Sequence, residues 1–136
     1  MQMTRQDAFD QIVAHMRQQR AFSIGHIDAQ AADEGEEPGC RYRGDNGMKC
    51  AVGALIPDDL YSPFMEGKGA TALEVTNRMG WDDPNFAFFL FEAQCSLHDS
   101  LYRDWRVFDA EAFEEAAQSF ALRHGLIYTK VPTYVA

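Results

Sequence analysis

Cysteine is scarce in this chain of 136 residues, and long apolar runs are absent. Cys40, Cys50 and Cys95 are an odd number at low density, which is typical of a reducing compartment rather than of a disulfide-rich secreted protein. The longest apolar run, residues 86–91, is too short to cross a bilayer. The N-terminal residues carry an acid and no apolar stretch, so no secretory signal is expected. The sequence therefore predicts a cytoplasmic protein without a membrane segment.

Basic residues are also few, with 12 Lys and Arg against 21 Asp and Glu, and the net charge is −9. Such a chain repels nucleic acid and anionic membranes, so neither is expected as a partner. The acidity suits solubility, or binding to a basic protein. The chain also lacks the glycine patterns of nucleotide-binding loops and the serine elbow of hydrolases, and we expect no cofactor.

Apolar residues, by contrast, make up 46% of the chain, and 10 of them are phenylalanines. A chain of this length can bury most of its apolar surface in one core, so we predict a single domain over residues 1–136. Apolar periodicity and capping residues predict four helices, at residues 4–20, 70–79, 84–103 and 109–124.

Residues 40–50 have the pattern of a β-hairpin. The turn, residues 44–47, contains Asn46 and Gly47, which accept the positive φ angles of a tight turn. Residues 126–136 are β-rich and could add a third strand, whereas residues 28–39 are predicted to form an acidic loop. The sequence therefore predicts the α+β class, with a helical core of three to four helices and a small antiparallel hairpin or sheet.

Cys50 is a candidate nucleophile, because Lys49 precedes it and a helix start there would lower the thiol pKa. His98 or His124 could act as base, with Asp99 or Asp58 as the orienting group. The alternative is that Cys50 is a small buried residue beside Ala51 and Val52, as free cysteines usually are, and we favour it.

The cysteines do not indicate a disulfide or a metal site. None of the common hairpin registers places Cys40 opposite Cys50, so we expect no disulfide between them. The cysteines and histidines are scattered, without the spacing of zinc ligands, and no metal is expected.

Arg41, Arg43 and Lys49 concentrate positive charge in the predicted hairpin of an otherwise acidic chain. With the backbone N–H groups of the turn, they are candidates for binding a phosphate or nucleotide. The alternatives are a solvated strand face or pairing with the acidic residues 33–37, and surface charges usually contribute little.

Residues 51–56 are small and apolar, and periodicity does not decide between strand and helix. We predict that residues 50–56 are buried against residues 86–101, with Cys50 inaccessible and no histidine within hydrogen-bond reach. Since Gly53 would permit close approach, Gly53→Leu should overpack this contact and cost about 1–3 kcal/mol.

One stretch resembles a family. From Cys40 the chain reads Cys-Arg-Tyr-Arg-Gly-Asp-Asn-Gly-Met-Lys-Cys-Ala-Val-Gly-Ala-Leu-Ile-Pro-Asp-Asp-Leu-Tyr-Ser-Pro, and Glu66-Gly67-Lys68 follows. This pattern resembles small proteins of phages and bacterial prophages that carry no assigned activity. The resemblance implies a small cytoplasmic accessory protein of phage or prophage origin, and it assigns no functional residues.

Three functions follow from these observations. The first is a non-enzymatic accessory protein that binds a host protein, as an inhibitor or anti-defence factor, and it is favoured by small size, acidity and aromatic content. The second is a thiol-dependent enzyme that uses Cys50. The third is a binder of a small anionic ligand at Arg41, Arg43 and Lys49. The oligomeric state is left open.

Overall fold

The helices lie close to where periodicity predicts them. The computed structural model describes residues 3–25, 39–101 and 107–129. Its α-helices are α1 (Arg5–Gln19), α2 (Leu73–Met79), α3 (Pro84–Gln94) and α4 (Ala110–His124). Helix α3 continues into a single π-helical turn, Cys95–Asp99, so the helix predicted at 84–103 changes its geometry before it ends. Short 3-10 turns lie at Asp45–Gly47, Gly53–Leu55 and Pro63–Met65.

Side chains cap the two longest helices as their sequences predict. Thr4 and Asp7 form a reciprocal capping box at the start of α1, with N–H to oxygen distances of 3.0 and 3.2 Å. Asp109 accepts the N–H of Ala112 at the start of α4. Phe108 and Phe113 contact each other across this cap, with ring centroids 5.8 Å apart, as a hydrophobic staple should.

The predicted α+β class is wrong, because β-structure in the described residues is minimal. Strand β1 (Ile24–Gly25) pairs antiparallel with β2 (Gly39–Cys40), and Arg43 forms an isolated bridge with Lys49. This pairing is too short to form a sheet layer, and the described chain is helical. Residues 126–129 form no strand, and the rest of the predicted third strand lies outside the described residues, as do residues 28–38 of the predicted acidic loop.

A distant carboxylate explains why the hairpin at 40–50 does not form. The backbone N–H groups of Tyr42 and Arg43 donate to the two carboxylate oxygens of Glu66, at 2.8 and 3.0 Å. They are therefore not available to a strand ladder. Asn46 and Gly47 do adopt the positive φ angles expected of them, 60° and 75°, but within a 3-10 turn.

The core lies between α1, α3, α4 and the segment 50–56. Phe120 of α4 packs on Phe9 of α1 and Phe89 of α3, with ring centroids 6.0 and 5.4 Å apart. Each of these phenylalanines is fully buried, which contributes roughly 1.5–3 kcal/mol per side chain.

The predicted burial of segment 50–56 is confirmed, except that Ala54 is half-buried. The segment contacts α1 through its 3-10 turn, and the Val52 N–H donates to Gln94 of α3 at 2.9 Å. The close approach at Gly53 is made to a different partner from the one predicted. A Cβ atom there would collide with the carbonyl group of Tyr42 rather than with the helix.

Candidate functional site

A pocket of about 190 Å³ lies beside the end of α3. Its walls come from three separate parts of the chain: residues 40–50, residues 66–70 and residues 91–99. All three cysteines line it, together with Gln94 and Asp99. We call this site the thiol pocket, and it is built around Cys40, Gln94, His98 and Asp99.

The π-helical turn positions the polar residues of this pocket. Asp83 caps α3 through the N–H of Asn85, and Pro84 occupies the first helical position, where it is tolerated. At the other end the Ser100 N–H reaches back to the Cys95 carbonyl at 2.8 Å, which widens the last turn. Isolated π turns within helices frequently mark functional sites. Here the wide turn directs His98 inward and leaves Asp99 at the pocket.

Gln94 connects the Cys40 thiol to the Asp99 carboxylate. Its Nε2 donates to the Cys40 Sγ at 3.3 Å and to the Asp99 Oδ1 at 2.8 Å. Its Oε1 accepts the N–H of Val52, and this bond fixes which end of the amide faces the thiol. Gln94 is therefore held in one orientation, with both N–H donors directed at the site.

His98 is completely buried, and its two ring nitrogens face different partners. Nδ1 lies 2.9 Å from the Asp99 Oδ1 and 3.7 Å from the Cys40 Sγ. Nε2 accepts the backbone N–H of Ser23 at 2.9 Å. Only an unprotonated Nε2 can accept that bond, so in this conformation the neutral ring carries its proton on Nδ1 and donates it to Asp99.

The pKa values follow from these contacts. The Cys40 pKa is raised far above its usual value, first by the adjacent Cys50 sulfur and then by burial, so the resting group is a thiol. Burial opposes the charged form of Asp99, but hydrogen bonds from His98 and Gln94 outweigh it and lower the Asp99 pKa.

Burial lowers the pKa of His98, but its contacts with Asp99 and Cys40 outweigh burial and raise that pKa to about 8. Protonation of the ring would break the bond from the Ser23 N–H, because both ring nitrogens would then be donors. The conformation described here is consequently that of the neutral ring.

Cys40, His98 and Asp99 could in principle hold a metal ion, since their ligand atoms lie within 4.8 Å of one another. A metal at Nδ1 would need the lone pair that the Nδ1 proton now occupies. If this proton moved to Nε2, two N–H donors, those of Nε2 and Ser23, would face each other without an acceptor. The donor set therefore fits a hydrogen-bonded thiol–carboxylate–imidazole group better than a metal centre.

The candidate residues from the sequence are only partly brought together. Cys50 is buried, with 1% of its surface exposed, as predicted for a packing residue. His98 reaches the site, but the sulfur 3.7 Å from it belongs to Cys40. His124 instead packs on the ring of Phe120, with centroids 4.3 Å apart. Sequence reasoning missed Cys40 and Gln94, although Gln94 and His98 are spaced one helical turn apart.

Arg41, Arg43 and Lys49, which we call the basic cluster, do not converge on a pocket. Arg43 donates to the carbonyl oxygens of Gly53 and Ile56 and to Asp58. Lys49 pairs with the same Asp58 carboxylate at 3.5 Å. Arg41 is buried, donates to the Cys40 carbonyl, and leaves its Nε without a partner in the described residues. Ligand binding here stays a prediction that these contacts do not favour.

The chain matches no family model, no curated protein and no solved structure. The resemblance to phage proteins consequently stays a prediction. Within the described part of the chain, each helix is too short or too polar to cross a membrane.

Proposed function

We propose that the thiol pocket is the active site of a thiol-dependent enzyme, with Cys40 as the nucleophile and a small carbonyl compound as substrate. The observation that carries this proposal is the position of the Cys40 sulfur. Cys40 lines the pocket, and its sulfur lies 3.3 Å from the Gln94 Nε2 and 3.7 Å from the His98 Nδ1. A thiol, a base and groups that orient the base are the components of nucleophilic catalysis.

We assign the role of base to Asp99. In the conformation described, His98 already carries a proton on the nitrogen that faces Cys40, so it cannot take up a second one there. Asp99 is charged, and its contact with the Cys40 thiol contributes to lowering its pKa. His98 and Gln94 are then positioning residues, which hold the carboxylate and donate to sulfur as negative charge develops.

The reaction proceeds by acyl transfer. The thiol proton moves to Asp99 as sulfur attacks the carbonyl carbon, and the carbonyl oxygen takes up the negative charge. When the carbonyl re-forms, the leaving group departs with the proton from Asp99, and a thioester remains on Cys40. Water then adds to the thioester, giving its proton to Asp99, and collapse of this adduct returns the proton to sulfur, releasing the acid and restoring the thiol.

The raised pKa of Cys40 separates this site from one with a preformed thiolate. A free thiolate would react with any small electrophile in solution, whereas Cys40 depends on Asp99 at the moment of attack. Reaction should therefore require a compound that binds in the pocket first. The pocket volume limits the part of the compound that enters the site to a small group.

Alkylation by a series of small chloroacetamides tests the proposal. Cys40 attacks the carbon that bears chlorine, chloride leaves, and intact mass with peptide mapping locates the product. We expect a Cys40 rate that saturates with reagent concentration. Asp99→Asn should lower the limiting rate by roughly 100-fold, as general-base catalysis does at the low end of its range. Cys95→Ser, which removes another pocket thiol, should leave the Cys40 rate unchanged.

Two outcomes would contradict the proposal. One is a Cys40 rate that stays linear with every reagent and equals the rate of Cys95. The other is an Asp99→Asn variant that reacts as fast as the parent. Either result would make Cys40 an ordinary half-buried thiol.

Binding to a host protein is the second candidate function, and an exposed aromatic surface favours it. Phe88 and Phe91 stack on the outside of α3 with centroids 6.3 Å apart, and both are exposed. Phe91 also lines the thiol pocket, so a partner seated there would cover its entrance. A pull-down from host lysate with Phe88→Ala as control tests it, and equal capture by both proteins would count against this surface. Phage origin and cytoplasmic location stay predictions.

A further inference from the structure

Two cysteines of the thiol pocket differ sharply in exposure. Cys40 is half-buried and in contact with the pocket, whereas Cys50 is almost completely buried. Both residues line the same cavity. A reagent entering the pocket can therefore reach Cys40 directly, and Cys50 is reached most readily through Cys40.

The path of the backbone brings these cysteines together. The bridge between Arg43 and Lys49 returns the chain antiparallel, so that Cys50 comes beside Tyr42. In extended chain alternate residues share a face, which puts Cys40 on the same face as Tyr42. Gln94 completes the connection, because its amide touches both the Cys40 sulfur and the backbone N–H of Val52, two residues after Cys50.

We propose that Cys40 and Cys50 form a reversible disulfide that switches the thiol pocket off under oxidising conditions. This inference replaces the expectation that the pair is not bridged, which assumed that Cys50 continues a strand; the pairing ends at Lys49, and the chain turns from Cys50 onward. The disulfide does not require the reaction proposed for Cys40. Its regulatory consequence does rest on that proposed function, since the oxidised protein has no nucleophile.

The exchange uses a low-molecular-weight disulfide such as oxidised glutathione. The Cys40 sulfur attacks one glutathione sulfur, the glutathione S–S bond breaks, and one glutathione thiol leaves. Cys50 then attacks the Cys40 sulfur of this mixed disulfide, and the second glutathione leaves. Two protein thiols are oxidised and one small disulfide is reduced to two thiols, so electrons and protons balance.

The surroundings of Cys50 suit the second step. The Gly53 N–H donates to the Cys50 Sγ at 3.3 Å, which stabilises negative charge on the attacking sulfur. Cys50 is also the largest cause of the raised Cys40 pKa, in agreement with the shared position of the two residues at the pocket. Cys95 also lines the pocket and is the competing partner, but its effect on the Cys40 pKa is not among the main ones.

Glutathione buffers of stepped ratio test the inference on the full chain. After a denaturing acid quench and alkylation, we expect oxidised protein to retain one alkylatable thiol of three and to yield a Cys40–Cys50 peptide pair. A thiol reductant should restore all three. Cys95→Ser should keep the pair, whereas Cys50→Ala should accumulate the Cys40–glutathione mixed disulfide.

Pairing of Cys40 with Cys95, a stable mixed disulfide in the parent, or full reduction at every ratio would overturn the inference. The parent measurement alone decides this, even if Cys50→Ala proves unstable. Chloroacetamide alkylation of reduced protein keeps the two proposals separate. Saturable alkylation without the disulfide would leave the proposed function standing, and the disulfide without saturable alkylation would leave only the redox pair.

Discussion

The thiol pocket and the basic cluster share one short stretch of chain and differ in what their polar groups face. Arg43 donates to the backbone carbonyls of Gly53 and Ile56 and to the exposed carboxylate of Asp58. Cys40 lines a cavity, and the side chains of Gln94 and His98 that contact its sulfur come from another part of the chain. The concentration of positive charge in the sequence therefore pointed to Arg43, which stabilises the fold, whereas the candidate site is built on Cys40, which no sequence motif singled out.

The difference shows how a functional candidate can be separated from a structural one. A side chain whose hydrogen bonds are all made within the protein stabilises the fold and has no donor free for a ligand. A side chain that is held in place yet faces open space can act on something else. On this basis, loss of Arg43 should alter stability, and changes in the thiol pocket should alter reactivity.

The largest effect on stability is expected for Arg43→Ala. The side chain is 17% exposed, and its loss removes a charged donor from the Ile56 carbonyl and one of the two donors from the Gly53 carbonyl. We expect the free energy of unfolding to fall by about 2–3 kcal/mol, since buried hydrogen bonds to charged groups are the strong ones. Urea unfolding measures this. Arg43→Lys keeps the charge but not the planar fork, and should recover only part of the loss.

The chloroacetamide rate of Cys40 should stay within about twofold of the parent in the folded Arg43→Ala variant, since no pocket group is removed. A large loss of Cys40 reactivity with unchanged stability would reverse the roles of the two regions.

Gly53→Ala should have the next largest effect. The new Cβ would press against the Tyr42 carbonyl, which is backbone and cannot move aside cheaply. We expect a loss of about 1–3 kcal/mol in urea unfolding, the range for overpacking. Gly69→Ala is the matched control, because its Cβ would meet the Phe91 ring at 3.3 Å, where a side chain can give way. Equal stability of Gly53→Ala and the parent would contradict this packing.

Asp99 makes a smaller, pH-dependent contribution. Hydrogen bonds from His98 and Gln94 lower its pKa in the folded protein below the usual 3.8. The stabilisation is therefore fully present above that usual value and is lost as the pH falls through the folded pKa. The parent should exceed Asp99→Asn in unfolding free energy near pH 5, where His98 is charged in both the folded and the unfolded chain, and by less below roughly pH 4. A margin that grows as the pH falls from 5 would contradict the assignment.

The smallest effect belongs to Lys49→Ala. Its partner Asp58 is fully exposed and is already bound by Arg43. We expect an unfolding midpoint indistinguishable from that of the parent at moderate salt, because exposed ion pairs are screened. A clear destabilisation would show that the two cations act together.

Local signals were enough to predict the helices but not the fold class. The apolar spacing of Phe9, Ile12 and Met16 and the caps at Thr4 and Asp109 are properties of short segments, and they hold. The hairpin failed because Glu66, far along the chain, takes the N–H groups that a ladder needs. Turn residues predict a turn, and they do not ensure that the flanking chains pair.

The site shows the same limit. His98 and the cysteines can be singled out from the sequence, and Cys50 was correctly expected to be buried. The contact between Gln94 and Cys40 joins residues 54 positions apart. It also depends on a π turn, which the spacing of apolar residues does not predict. The sequence therefore shows which reactive side chains are present, and the tertiary structure determines which cysteine lies beside the histidine and the carboxylate.

The pH dependence of saturable Cys40 alkylation tests the role of Asp99 most directly. If Asp99 removes the thiol proton during attack, the limiting rate of the parent should change little between about pH 10 and pH 9, where Asp99 is charged and the His98 ring is neutral. Asp99→Asn must rely on thiolate already present, and its rate should fall by about tenfold per pH unit. Parallel profiles that both fall tenfold per unit would contradict the account, because Cys40 would then react without help from Asp99.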